Sequence, residues 1–225
     1  MQVGFRTVDG VRVRCAESTG PSAPSILLTS PWPESVYAFA PIWPSLANVA
    51  RLVAVDLPGF GRSERRDGGP RYGGPLLEMD SAQVRQAISE HVVQALEVAR
   101  NAAGKMRPGG TLLLMGGTGG RRGGHGLGIA SAATAALPPF TAALALELAP
   151  VRVNLIAAGF VDTPLSASLL GDRLEERRNE LRAMLPIGRV VGPADVAALA
   201  VHIMSNTAVT GATYDIDGGQ QFVSS

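Results

Sequence analysis

Apolar and charged side chains alternate strictly near the start of the chain, in Val11-Arg12-Val13-Arg14. This period of two predicts a strand, and Asp9-Gly10 supplies a hairpin turn, so Phe5 to Glu17 reads as a β-hairpin. Ile26 to Thr29, bounded by Pro24 and Pro31, and Leu52 to Asp56 are short continuous apolar runs and read as buried strands. Tyr37 to Val49 reads as a helix broken near Pro44. Leu57-Pro58-Gly59-Phe60-Gly61 reads as a turn, and Ser63 to Gly74 as a charged, Gly-rich loop or junction. From Asp80 the period changes to that of a helix. Asp80 or Ser81 is the N-cap, Val84, Ile88, Ala95 and Val98 trace one apolar face, and the helix ends near Ala103.

After the turn Pro108-Gly109-Gly110, strand and helix alternate. Thr111 to Met115 reads as a strand and Leu127 to Leu148 as a helix of small residues. Val151 to Ile156 is the next strand. A polar helix capped by Thr163-Pro164 runs to Met184, another runs from Pro193 to Met204, and Ala212 to Ile216 is the last strand. The alternation predicts an α/β fold: one Rossmann-like domain over 1–225, a three-layer parallel sheet with helices on both faces. The strands at Ile26 and Leu52 are expected beside the strand at Thr111.

Composition narrows the function classes. Hydrophobic residues make up 46% and charged residues 17%, the balance of a soluble globular chain. A net charge of +1 gives no electrostatic argument for nucleic acid or an anionic membrane. The segment MQVGFRTVDG does not read as a signal peptide, and no apolar stretch is expected to span a membrane. The single cysteine, Cys15, suits a reducing, cytoplasmic compartment. His91, His125 and His202 lack zinc-ligand spacing, so no metal site is expected.

Several motifs occur in register over the last 155 or so residues. They are Arg107-Pro108-Gly109-Gly110-Thr111, the run 146–154 (LELAPVRVN), Ala158-Gly159-Phe160-Val161-Asp162-Thr163-Pro164, Ile187-Gly188-Arg189, Gly192-Pro193-Ala194-Asp195-Val196 and Asp215-Ile216-Asp217-Gly218-Gly219. Together they resemble the short-chain dehydrogenase/reductase family over residues 68–225. The resemblance implies an oxidoreductase linked to NAD or NADP. It places Gly116, Gly117, Ala158, Gly159, Phe160, Val161 and Thr163 beside the cofactor, the stretch 159–163 meeting the nicotinamide. It also makes the helices starting at Asp80 and Leu127 the interface of a homodimer or homotetramer. The charged helix up to Met184 would be a substrate lid, with Leu169, Leu170 and Leu174 turned to an apolar small-molecule substrate.

The family's acid–base residues are missing from the text. Its Tyr donates the proton, its Lys lowers the Tyr pKa, and its Ser orients the carbonyl. In register these positions are Ala130, Thr134 and Gly117, and the family's Asn falls near His91. An imidazole titrates near neutrality, so His91 is the substitute acid to consider, beside its plainer reading as a helix histidine. The Gly-rich loop 116–126, with Arg121, Arg122 and His125, reads as a connection at the mouth of the site or as a phosphate cradle. A subgroup of the family lacking the Tyr–Lys pair carries similar text here.

Residues 1–66 resemble a different family. Val8-Asp9-Gly10-Val11-Arg12-Val13, Trp32-Pro33-Glu34-Ser35 and the run 56–63 (DLPGFGRS) are similar to the start of an α/β-hydrolase of the epoxide-hydrolase and dehalogenase branch. The oxyanion turn would fall at Ser30-Pro31. No GxSxG nucleophile elbow follows, and Asp56 and Ser63 match only a structural turn. The functional readings are thus an atypical NAD(P)-linked oxidoreductase that has lost its chemistry or kept some of it, a non-catalytic oligomeric binding protein, and a hydrolase relative without a nucleophile.

Overall fold

The computed structural model describes residues 1–8, 10–19, 25–29, 35–40, 42–48, 50–56, 61–64, 73–163, 166–167 and 170–223. The turns at Asp9, Ser30-Pro31, Trp32 to Glu34 and Leu57 to Phe60, most of the 63–74 junction, Pro164 and Leu169 lie outside the described residues. The chain divides into two compact units. One is 1–69 with 162–175 and 192–201, and the other is 70–161 with 176–191 and 202–225.

The first unit holds a four-stranded mixed sheet. Its strands are β1 (Gln2–Val8), β2 (Val11–Glu17), β3 (Ser25–Thr29) and β4 (Arg51–Val55), in the order β1-β2-β4-β3. β1 and β2 form the expected hairpin, Val8 opposite Val11, and β2 runs antiparallel to β4. β3 and β4 are parallel, Ile26 opposite Leu52. Between them Val36–Phe39 is a 3-10 turn and α1 (Trp43–Ala47) a single short helix with Pro44 in its first turn. The helix expected from Tyr37 with a break near Pro44 is thus found as two short pieces. Pro44 is tolerated at the start of a helix and not within one, so the second piece starts there.

Asp56 ties this unit together. Its carboxylate, fully buried, accepts from the Arg14 guanidinium at 2.6 Å, from the Val36 amide at 2.6 Å and from the Arg62 amide at 3.0 Å. The Ser63 hydroxyl donates to the Asp56 carbonyl and accepts from the Arg14 amide. A side chain at Gly61, where φ is +54°, would collide with the carboxylate. Asp56 and Ser63 are thus structural, as the turn motif implied.

The second unit holds a parallel sheet of β5 (Thr111–Gly117), β6 (Arg152–Ala158) and β7 (Thr213–Ile216), in that order. Two long helices belong to it: α2 (Ser81–Ala103) and α3 (Gly128–Glu147). Asp80 caps α2, its side chain accepting from the Gln83 amide. On α3 the residues Ile129, Ala133, Leu137 and Thr141 recur every four positions and are buried, which gives one inward stripe. Leu137 and Leu144 meet Leu112, Leu114, Val153 and Leu155 from the strands and Ala99 from α2 in one core. Each large side chain so buried contributes about 1.5–3 kcal/mol. α4 (Leu174–Met184) and α5 (Pro193–Ser205) follow along the chain.

One expectation needs correction: the polar helix before Met184 is not continuous from Thr163. A 3-10 turn at Gly171–Arg173 precedes α4, and Gly171 at φ +52° takes a backbone turn that a helix does not allow. α3 is long and apolar enough to cross a membrane by length and composition alone, with a mean hydropathy of 1.5. In this fold it packs against β5 and β6 through its buried stripe.

Candidate functional site

Open α/β sheets bind ligands beyond the carboxyl ends of their strands. At that end of β5 and β6, the register pairs Gly116 with Ala157 and Gly117 with Ala158. The loop after β5 turns at once into a 3-10 turn, Thr118–Arg121, on which α3 rests. This brings together the positions that the family resemblance singled out. A Cβ on Gly117 would stand 3.4 Å from the Thr134 methyl group and 3.6 Å from the Ala158 carbonyl oxygen. The Thr134 hydroxyl donates back to the Ala130 carbonyl at 2.9 Å.

None of Gly117, Ala130 and Thr134 carries an ionisable side chain. Ala130 carries a methyl group and has no proton to give. The Thr134 hydroxyl is bonded within its own helix. Gly117 has no side chain. His91 lies in the middle of α2, half-buried, and burial lowers its pKa from the ordinary histidine value, so at neutral pH it holds little proton to donate.

The loop's glycines serve packing. A Cβ on Gly116 would press on Leu137 at 2.9 Å, and one on Gly120 would meet the Ala135 backbone at 2.7 Å. Gly116 therefore lets α3 approach β5 closely, and Gly120 lets it approach the 3-10 turn that follows. Arg121 and Arg122 do not converge on a phosphate site. Arg121 pairs with Asp215 at 3.0 Å, and Arg122 donates to the Val223 carbonyl at 3.2 Å.

The stretch after β6 is equally engaged. The Gly159 amide donates to the Ile216 carbonyl at 3.1 Å. The Phe160 amide donates to Gln220 Oε1 at 2.9 Å. Val161 forms a parallel bridge with Val191. Thr163, which belongs to the other unit, is buried, and its amide donates to the Ser166 hydroxyl at 2.8 Å. The backbone donors at Gly159 and Phe160 that would receive a nicotinamide are thus bonded within the chain. In this arrangement the residues do not fit that group, and no reaction step is derived through it. Gln220 is the site residue that the motif reading missed. Its role depends on a contact 60 positions away, and no local pattern marks it.

Comparison with known proteins agrees with the architecture. The family description "Enoyl-(Acyl carrier protein) reductase" matches residues 67–221. Carbonyl reductase family member 4 of Xenopus tropicalis is 30% identical over 150 residues, 65% of this chain and 61% of that protein. The 3beta-hydroxysteroid dehydrogenase 1 of Eggerthella lenta is 41% identical over 93 residues, 40% of this chain and 35% of that protein. The chain spans about three-fifths of the length of the first of these relatives. A small-chain dehydrogenase solved in complex with NADPH has the same fold, with a TM-score of 0.71 and 20% identity over 88% of this chain and 99% of that one. A short-chain type dehydrogenase/reductase from Mycobacterium ulcerans superposes at 0.60 with 26% identity, over 69% of this chain and 58% of that one. Together with the β5–β6–β7 sheet, these matches establish that the chain belongs to the short-chain dehydrogenase/reductase family.

Proposed function

We propose that the chain is an atypical, NAD(P)-linked short-chain oxidoreductase whose own residues no longer supply the proton for carbonyl reduction. One observation carries this reading: Ala130, Thr134 and Gly117, the positions that the resemblance gives to the family's acid–base residues, lie together at the end of β5, and none is ionisable. The link to a dinucleotide rests on family membership and on the NADPH-bound neighbour. The mixed front sheet argues the other way, because a dinucleotide-binding front is built of parallel βαβ units. That sheet suits the hydrolase-like reading of residues 1–66, and without a nucleophile elbow we assign it no hydrolysis.

The test is thermal unfolding with and without millimolar NADH and NADPH, together with a reductase assay on apolar ketones. Binding to the folded state alone raises the melting temperature. The expected result is a rise with one dinucleotide and no turnover above background. Turnover above background would refute the loss of chemistry, and its disappearance in His91→Asn would name the residue that supplies the proton.

A second reading, a cytoplasmic homodimer or homotetramer used for binding, has its own support. Leu146 on α3 is 82% exposed and Val93 on α2 is 44% exposed, on the helices that the resemblance makes an interface. A monomeric mass in solution would remove it.

A further inference from the structure

The front sheet has an edge that its own chain leaves open. β1 is the outermost strand, and every residue from Gln2 to Val8 is exposed. Its neighbour β2 shows which way the β1 backbone points. The amide and carbonyl of Arg12 are bonded to Glu64, and those of Arg14 to Ser63 and Asp56, none of them in β1. In an antiparallel pair, opposed residues either exchange both backbone bonds or turn both away, in alternation. Arg12 and Arg14 stand opposite Thr7 and Phe5. Thr7, Phe5 and, by the same alternation, Val3 therefore turn their N–H and C=O groups to the open edge. Nothing blunts that edge. The strand holds no proline or lysine, and its register with β2 runs residue for residue, without a bulge. Its one charge, Arg6, is paired with Glu17 of β2. A Cβ on Gly4 would meet nothing within 4 Å.

We propose that β1 pairs antiparallel with β1 of a second copy of the chain, about a two-fold axis at Phe5, so that two front sheets join into one. An antiparallel strand is its own complement, and one patch serves both copies. With the axis at Phe5, Val3 meets the partner's Thr7 and Phe5 meets its counterpart, so each outward donor finds an outward acceptor. Arg6 then stands opposite the partner's Gly4, whose open side admits a long side chain. Each copy brings its own Glu17 beside Arg6, so the join gathers no uncompensated charge. The neighbouring registers are worse. An axis at Arg6 sets two arginines directly opposite each other, which is unfavourable. An axis at Gly4 leaves Thr7 beyond the end of the partner's strand, which begins at Gln2. One strand pair covers less than the roughly 1,600 Å² of a standard interface, so the association depends on concentration. It involves neither α2 nor α3 and is independent of the dinucleotide.

The experiment is sedimentation velocity of the full chain over a concentration series, beside Gly4→Lys and Gly4→Glu, with circular dichroism as the check on folding. The open space at Gly4 accommodates either side chain within one copy. Across the join, Gly4→Lys opposes Arg6 with a like charge at two symmetry-related places, and Gly4→Glu opposes it with the opposite charge. The expected result is a dimer dissociation constant about tenfold higher for Gly4→Lys than for the parent, and no higher for Gly4→Glu. A dimer made through α2 and α3 is indifferent to both substitutions, so equal association of all three proteins would overturn the proposal. Equal weakening by Lys and Glu would overturn it too. So would a parent that stays monomeric at every concentration, which would leave the edge to a strand of another protein. Should the variants fail to fold, amide hydrogen exchange of the parent decides. The Val3, Phe5 and Thr7 amides should gain protection as concentration rises, and unchanged exchange at these three would overturn the pairing.

Discussion

Among the described residues each unit of the molecule buries one arginine, and the two are wired differently. In the front unit Arg14 meets a carboxylate, Asp56, and is 5% exposed. In the rear unit Arg152 is 7% exposed and meets no carboxylate among the described residues. It donates to the carbonyls of Ile203, Met204, Asn206 and Val209 at 2.9–3.0 Å, and to the Thr111 hydroxyl. Those carbonyls belong to the last turn of α5 and the segment after it, where the helix dipole is negative and carbonyls lack helical partners. A guanidinium is thus stabilised in one unit by a full charge and in the other by the end of a helix. The difference teaches how each site should fail.

Removing the carboxylate should do the most damage. Asp56→Ala leaves Arg14 as a buried, uncompensated charge and frees the Val36 and Arg62 amides. Chemical denaturation should record a loss of about 3–5 kcal/mol. Adding Arg14→Met to that variant should recover part of the loss, because the stranded charge goes with it. A loss below about 1 kcal/mol in Asp56→Ala would mean that the pair is solvated and the comparison fails.

Arg152→Met should cost less, about 1–3 kcal/mol, since it strands neutral carbonyls. No single second substitution should rescue it, because its acceptors are backbone atoms on several residues. Recovery by one added mutation would show that the helix end is not what holds this arginine.

The smallest effects concern pH, and they fall at opposite ends of the scale in the two units. Burial lowers the pKa of His91, in the rear unit. The unfolded chain then takes up the proton first as pH falls. The stability this histidine contributes is full above its ordinary value, about 6.5, and is lost as pH falls below it. Burial raises the pKa of Cys15, in the front unit, with Arg6 opposing and Glu17 and Asp56 adding to the shift. The unfolded chain loses that proton first as pH rises. The contribution is full below the ordinary thiol range, about 8.5, and is lost above it. His91→Asn should flatten the acid limb of a stability–pH curve, and Cys15→Ala the alkaline limb. A variant that flattens the other limb would contradict the assignment of these two groups.

Much of the fold was legible because it rests on local signals. Asp80 announced α2 as its N-cap, and the structure starts that helix at Ser81. The small residues from Leu127 to Leu148 announced α3, found at Gly128–Glu147 although Pro138 and Pro139 lie inside it. The strands at Thr111, Val151 and Ala212 were found within two residues at each end. What the text hid depends on distant partners. The run of charges before Met184 masked the turn at Gly171, where backbone conformation outweighs helical composition. The glycines at 116 and 120 look alike in a loop that reads as a phosphate cradle, and only the approach of α3 explains them. That Ala130 and Thr134 carry no ionisable group was legible in the sequence alone, whereas the engagement of Phe160 by Gln220 needed coordinates.

The knot at Asp56 also has a timetable. Its two charged partners lie 42 positions apart in the chain. A ribosome adding about 5–20 residues per second makes Arg14 roughly 2–8 s before it makes the carboxylate. Through that interval the hairpin of β1 and β2 can exist, but its inner arginine has nothing to bury against, and β4 has not yet been made. The front sheet must therefore wait for its fourth strand before its second can be covered. Synonymous codons that slow translation between the two positions would lengthen the wait without changing a single atom of the finished protein.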